Sequence, residues 1–546
     1  MKKRKIALLL LATLCVGLLG GCKGTDSTKP EDSIESEKPT EEKNSDAFSF
    51  PLAEKQELSL WTTWENSYLE DPNEMLAFQE FERATNVHIN YTVVGRAEAS
   101  EKYGLLLASG DYPDITMGGQ ANYPGGMEKA VEEGVYLDLT EYVKSIMPNY
   151  VEMMNTKEEV ARDCTTDDHR YLQIYSINGN DMGVTKERSF LGLVIRRDWL
   201  EELKLEVPVT IEDWHKVLTA FKEEKGATAP LMLGKDGFTT GNAFLSAFGI
   251  LQEYYVEDGQ VSFGPVTDGY RQYLELMRDW YTEGLIDPDF TANDAGLVMP
   301  FDYVANGKAG AGQFLSGWCG DYMRTGFGMT EEEDFYLLAV EPPVLNSGDK
   351  TYSNTTSTLT GVAAAVTSNC KNPELACRWL DYQYSEEGRV ILNYGIEGET
   401  YQKDENGGYQ WTDFVMNHPE GYTRSDAGNL VTSSMAHVGY YNWEAIERFD
   451  GSHDGDVSLV KDTWDKADTS RIYPASASMT DAEGSEYSTL YTDIETMVDE
   501  MTIKFITGAE SLENFDTFVE SLYGFGLQTC IDIKQAAYER YIERVQ

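Results

Sequence analysis

The sequence predicts an α/β protein with more than one lobe, and three observations carry that expectation. Strand-like and helix-like segments alternate from Leu58 onward, an order that gives a mostly parallel sheet with helices on its faces. The globular part has about 500 residues, more than one hydrophobic core normally supports. No internal repeat of solenoid length breaks that order.

Each element has a local reason. Leu58 to Trp61 is a short apolar run, Pro72 to Ala84 carries Met75, Phe78 and Phe81 at helical spacing, and Ile89, Tyr91 and Val93 alternate as a strand does. Glu101 to Ser109 reads as a helix, Asp114 to Met117 as a strand, and a further helical stretch ends near Glu133. In the second half, Thr210 is placed to cap a helix with Asp213 in its first turn. Trp214, Val217, Leu218 and Phe221 then recur at i, i+3, i+4 and i+7, and Tyr270, Tyr273, Leu274, Met277, Trp280 and Tyr281 do the same. Leu231 to Leu233, Phe335 to Val340 and Gly361 to Val366 read as buried strands. Leu490, Tyr491, Ile494, Met497, Val498 and Met501 mark an amphipathic helix over Tyr487 to Phe505.

The N-terminus has a different character. Met1 to Lys5 carries four positive charges, Ile6 to Leu19 is almost wholly apolar, and two glycines precede Cys22, the layout of a secretory signal. An apolar run of this length is too short to span a bilayer core of about 30 Å. The pattern resembles a bacterial lipobox. That resemblance implies a signal peptide over residues 1–21 and a diacylglyceryl group on the Cys22 thiol. Residues 22–47 are Ser, Thr, Lys, Glu, Asp and Pro with almost no apolar side chains, so they cannot offset the entropy of ordering and form a disordered tether. Such a coil spans about 25 to 30 Å. The expectation is a body from about Phe48 to Gln546, lipid-anchored on the outer face of the bacterial cytoplasmic membrane.

Charge narrows the partners. The formal charge is −49, and loss of Lys2, Lys3, Arg4 and Lys5 makes it more negative still. Such a surface repels nucleic-acid phosphates and anionic headgroups and favours neutral or cationic ligands. Aromatic residues make up 12% of the chain, a surplus that suits gripping sugars or peptides. The five cysteines beyond Cys22, namely Cys164, Cys319, Cys370, Cys377 and Cys530, are odd in number and irregularly spaced, which argues for buried thiols and against a disulfide framework. There is no CxxC, and the histidines lack metal-ligand spacing, so no metal or other cofactor is expected.

Several stretches resemble the extracellular solute-binding proteins of family 1, the lipoprotein sugar-binding subunits of bacterial ABC importers, close to the LplA-like group. They are Leu107 to Ile115 (LASGDYPDI), Phe301 to Phe314 (FDYVANGKAGAGQF), Asn372 to Glu387 (NPELACRWLDYQYSEE), Asn393 to Tyr401 (NYGIEGETY) and Gln535 to Tyr541 (QAAYERY). The resemblance implies a two-lobed, periplasmic-binding-protein-like (type II) α/β fold with a hinge and an inter-lobe cleft. It implies a monomer that captures an oligosaccharide by lobe closure, performs no chemistry and delivers its cargo to permease subunits. On this chain it places the first lobe at 48–190 and 309–360 and the second at 191–308 and 361–546. Crossings are expected near Ser189 to Arg197, Ala309 to Gly317 and Thr358 to Val366. A DxNxNGxxDE calcium loop, common in the LplA-like group, is missing here, where Phe221 continues as KEEKGATAPL. Lys403 to Tyr409 (KDENGGY) reads as a hairpin turn instead.

Sugar rings stack their C–H faces on aromatics and pair their hydroxyls with planar polar groups. Candidates therefore join an aromatic to a polar neighbour at a strand end. Trp64 and Glu65 follow the first strand. Gln120 and Asn122 follow another, behind Gly118 and Gly119. Trp318 follows the glycine-rich return segment. Arg424, Trp443 with Glu444, and Trp464 with Asp462 are expected to line the cleft from the second lobe. Each of these has a competing reading as packing. The rival functional classes are a secreted glycoside hydrolase, which needs two carboxylates roughly 5 to 10 Å apart, and a receptor for peptides or another solute on the same fold. The chain has no GxSxG or HExxH motif.

Overall fold

The structure is a computed structural model that describes residues 48–544 apart from 185–187, 190, 240, 252, 293–298, 317–318, 321–323, 325–328, 354–355, 406, 434–435, 446–459 and 461. Cys22 and Trp318 lie outside the described residues. Residues from Phe50 to Gln546 form one compact unit, within which two sheets each organise a core.

In chain order the strands are β1 (Gln56–Thr63), β2 (Val87–Val94), β3 (Ile115–Met117), β4 (Ile174–Gly179), β5 (Arg188–Ser189), β6 (Leu191–Arg196), β7 (Leu231–Met232) and β8 (Tyr254–Glu257). There follow β9 (Gln260–Phe263), β10 (Ala311–Leu315), β11 (Leu337–Ala339), β12 (Thr356–Ser357), β13 (Leu359–Val366), β14 (Tyr401–Lys403), β15 (Tyr409–Trp411) and β16 (Tyr440–Asn442). The first sheet has the order β16-β4-β13-β3-β1-β2 and the second β11-β6-β10-β7. In the first, β1 runs parallel to β2 and β3, β16 runs parallel to β4, and β13 alone runs against its neighbours. In the second, β6 runs against β10 and β11, while β7 is parallel to β10.

The two contrary strands have one cause. The antiparallel pair β5 and β12, with Thr356 opposite Ser189, leads directly into β6 on one side and β13 on the other. A strand that enters its sheet from this crossing starts where the parallel strands end. The carboxyl ends of the remaining strands of both sheets therefore face the crossing, where open α/β sheets place ligands.

The first core gathers Leu60, Phe78, Ile115, Ile177, Trp379 and Val438 around the first sheet. The second gathers Leu193, Trp214, Phe221, Leu231, Tyr270 and Trp280 with Ile494, Phe505 and Leu527 from the C-terminal helices Asp481–Thr507 and Leu527–Glu543. Local rules operate as the sequence indicates. Thr210 and Asp213 close a capping box on the helix Ile211–Glu224. Asp404 and Gly408 close the β14–β15 hairpin in the KDENGGY stretch. All five cysteines of the described body are buried, none in a disulfide.

Sheet membership corrects the expected partition. β10 and β11 belong to the second sheet and β13 and β16 to the first, so 309–353 stays with the second lobe and 359–445 returns to the first. The chain re-enters the second lobe after β16. The glycine-rich GKAGAGQF stretch is no crossing loop. A Cβ on Gly310 would lie 2.2 Å from a ring carbon of Phe221, and one on Gly312 would lie 2.2 Å from the Met232 carbonyl oxygen. These glycines let β10 lie flush inside the second sheet.

Candidate functional site

Topology brings the ends of β1, β3, β4 and β16 to one edge of the first sheet, beside the crossing. Trp64 and Glu65 leave β1 there. The Trp64 ring joins the first core with Leu60 and Phe78, which supports its packing reading. Its indole N–H is enclosed without a hydrogen-bond partner, as is the hydroxyl of Thr62 two residues earlier on the same strand face. Thr62 is fully buried and Trp64 is 4% exposed, so both groups lie inside the first lobe. Glu65 is exposed, and its Oε1 accepts the Arg96 N–H at 2.8 Å. Asn66 donates to the Asn429 carbonyl at 2.9 Å and so ties this turn to the helix Arg424–Val431. Arg424 opens that helix, partly buried, with Nη1 enclosed and unpartnered.

Beyond β3 the candidates divide. Gln120 is 1% exposed. Its Nε2 donates to the Ala363 carbonyl at 2.6 Å, and its Oε1 accepts from the Thr116 hydroxyl at 3.4 Å. Both ends of the amide are committed to joining β3 to β13, so the expected ligand contact of Gln120 is replaced by a structural one. Gly119 is small because the Trp61 and Tyr103 rings occupy the place of a Cβ, 2.5 and 2.6 Å away, and not to admit a ligand. Asn122 is exposed at the end of the following turn.

A polar lattice joins β4 to β16. The Trp443 indole N–H donates to Asn178 Oδ1 at 2.9 Å, and the ring stands edge-on to Tyr441 with centroids 4.8 Å apart. Asp181 Oδ1 accepts from the Tyr394 hydroxyl and from Asn442 Nδ2, both at 2.7 Å. The Asp181 N–H donates to Glu444 Oε2 at 3.0 Å. Sequence reasoning missed Asn178, Asp181 and Asn442, although an Asn and an Asp just past a buried strand in NGND were a usable signal.

Trp443, Glu444 and Arg424 thus stand on the first lobe, which corrects their expected placement on the second. Trp464 is the one aromatic candidate the described second lobe retains. It is 3% exposed, packs in the second lobe with Val194 and Phe314, covers Gly192 so closely that a Cβ there would meet its ring at 2.3 Å, and donates its N–H to the Leu193 carbonyl at 3.1 Å. Packing replaces the expected ligand contact, and Asp462 beside it is exposed. Across the crossing, Gln313 of β10 holds the loop before the 3-10 turn Ala243–Phe248 by bonds to the Gly241 carbonyl and the Ala243 N–H.

A hollow of about 760 Å³ opens elsewhere on the second lobe, at the end of β6 remote from the crossing. Its fully buried Arg196 is paired with Asp198 and Glu332 and lies between the Trp199 and Phe335 rings. These charges are mutually satisfied, and the hollow is no part of the candidate site. Among the described residues no group of His, Cys, Asp and Glu could hold a metal ion, and no helix is long and apolar enough to cross a membrane.

Two α/β lobes joined by crossing strands, with strand ends facing the junction, define the class of two-lobed, type II periplasmic-binding-protein-like folds. The chain belongs to the bacterial extracellular solute-binding protein family, whose description it matches over residues 66–390. It is 29% identical over 415 residues to the fructooligosaccharide ABC transporter substrate-binding protein FusA of Streptococcus pneumoniae serotype 4, covering 73% of this chain and 72% of that one. The structure of S. pneumoniae FusA in complex with kestose superposes with a TM-score of 0.66 at 22% identity, over 89% of this chain and 99% of the other. An extracellular solute-binding protein from Bifidobacterium longum subsp. infantis superposes with a TM-score of 0.70 at 18% identity, over 89% and 98% of the two chains. Lipoprotein LipO of Bacillus subtilis is 25% identical over 345 residues, 60% of this chain and 64% of its own length. These relatives are named as binding proteins or a lipoprotein, not as enzymes.

Proposed function

We propose that this chain is the lipid-anchored solute receptor of an ABC importer, capturing an oligosaccharide at the crossing edge of the two lobes and breaking no bond. The observation that carries this reading is the first-lobe edge, where aromatic and polar groups meet at strand ends beside the crossing. Glu65 and Asn122 supply exposed planar polar groups and Arg424 a partly buried one, beside the buried Trp443 ring. The kinship with FusA supports a neutral fructose-containing oligosaccharide as the first ligand class to try. Trp318 and Cys22 keep the roles the sequence suggests, a cleft aromatic and the acylated residue. Contacts from both lobes would favour the joined arrangement over a parted one, which lets a permease tell loaded from empty receptor.

The test is a thermal-shift and calorimetric screen of the body from Phe48 against kestose, other glycans and basic peptides, with chromatography of the recovered sugar. Saturable binding of unaltered oligosaccharide is expected. Cleaved sugar would establish the hydrolase, and tight binding of a basic peptide with no glycan response would establish the peptide receptor. Metabolic labelling with palmitate should mark the full-length chain and leave Cys22→Ser unmarked.

A further inference from the structure

The lobes are tied a second time, far along the chain from β5 and β12. The helix Leu527–Glu543 is built into the second core through Leu527 and Cys530. Its last turn and the residue after it reach across to the segment 162–169, which is anchored in the first core by Val160 and Cys164. Arg540 Nε lies 3.0 Å from one oxygen of Asp167, and Arg544 Nε donates to the other at 2.8 Å. Arg544 Nη1 donates to the Arg162 carbonyl at 3.1 Å, and the Arg544 carbonyl lies 2.7 Å from His169 Nδ1. The Tyr541 hydroxyl donates to Asp163 Oδ1 at 3.0 Å.

Asp163 binds this contact to the crossing itself. Its Oδ2 accepts at 2.8 Å from the hydroxyl of Thr358, the residue between β12 and β13, while Oδ1 takes Tyr541 and Ser476 of the second lobe. From the second-lobe side, Glu483 steadies Arg540 through Nη1 at 3.0 Å. Arg544 is only 5% exposed. Solvent-exposed ion pairs constrain little because water competes for them. A buried guanidinium sharing a carboxylate with a second arginine is different, since parting the lobes leaves charges unpaired away from water.

We infer that Asp163, Asp167, Arg540, Tyr541 and Arg544 form an inter-lobe clasp that sets the angle between the lobes and, through it, the share of receptor ready to hold solute. The link to affinity rests on the capture reading above, whereas the clasp itself does not. These are positioning residues: Asp163 reaches the site edge through Thr358, whose carbonyl accepts the N–H of Asn178, the partner of Trp443, at 2.8 Å. Weakening them spreads the population toward wider arrangements, and apparent affinity falls by the fraction that remains competent.

The experiment measures inter-lobe distance without any ligand. The chain from residue 22 carries Cys22→Ser, and spin labels are placed on Glu132→Cys in the first lobe and Glu223→Cys in the second, both exposed sites in a body whose own thiols are buried. Asp167→Asn, which keeps the shape, and Arg540→Lys, which keeps the charge, are compared with the parent, with near-ultraviolet circular dichroism reporting native packing. Longer and broader distance distributions are expected in both variants. If the competent share falls to about a tenth, the apparent Kd for kestose rises about tenfold. Unchanged distances in natively packed variants overturn the clasp, and changed distances with unchanged kestose affinity overturn its link to capture. Failure of the parent to bind kestose counts against the proposed ligand class, while the distance measurement still decides the clasp.

Discussion

In sequence, Trp443 on the β16 edge of the first lobe and Trp464 on the β6 face of the other lobe are much alike, each a tryptophan beside an acid in an irregular stretch. Their surroundings differ. Trp443 bonds to a side chain, Asn178, within a lattice of Asn, Asp and Tyr groups. Trp464 bonds to the backbone of β6 and fills the space left by Gly192. Both rings are buried; under the proposed function the one held by polar side chains is the one to answer a solute, whereas the one locked onto a glycine of the central strand holds a sheet together.

The largest test of that contrast is truncation. Trp464→Ala should lower unfolding free energy by about 3–5 kcal/mol, the range for emptying a buried aromatic site, as read by urea denaturation. Trp443→Ala should cost less stability and instead lose most solute binding in calorimetry. Equal losses of stability in the two variants would erase the distinction.

Glu253 of the second lobe and His437 of the first should also respond to pH, with opposite sign. Burial pushes the Glu253 carboxyl of the second lobe up to about 7, so its folded state holds a proton that the unfolded chain has released above the ordinary 4.5. That contribution is complete at acid pH and disappears as pH rises from about 4.5 to 7, worth roughly 3 kcal/mol by linkage. Asp381 of the first lobe, pushed up to about 6 by burial, adds to the same trend at lower pH. His437, enclosed beside Phe78 in the first lobe, is driven down to about 4 by burial. Its contribution is complete above pH 6.5 and disappears as pH falls toward 4. Glu253→Gln should flatten the decline toward neutral pH, and His437→Gln the decline toward acid. Profiles left unchanged by either substitution would remove that residue from the account.

The smallest effects belong to the rim. Asn122→Ala and Glu65→Gln should each weaken oligosaccharide binding severalfold and leave the melting temperature within a degree or two, consistent with surface substitutions of about 0.5 kcal/mol or less. A large stability loss from Glu65→Gln would show that its bond to the Arg96 N–H serves the fold more than the site.

Periodicity, capping and charge were readable directly from the chain. The alternation over β1 to β3, the Thr210 capping box and the apolar stripe of the helix Asp481–Thr507 arise from neighbours within one or two turns, and such rules need no partner. Strand-end logic proposes Glu65, Asn122 and Gln120, because a strand announces its own end, whereas Trp443 is proposed from its irregular stretch. What the chain alone cannot show is that the Gln120 amide bonds to a residue 243 positions away.

The assignment of segments to lobes was settled only in three dimensions. GKAGAGQF has the composition of a crossing loop, yet its glycines answer to Phe221, Trp199 and Met232 across the second sheet. Arg540 and Arg544 resemble an ordinary helix end until Asp163 and Asp167 stand opposite. Composition records which chemistry is available, whereas strand pairing between distant segments decides which groups are spent on packing and which stay open to a solute.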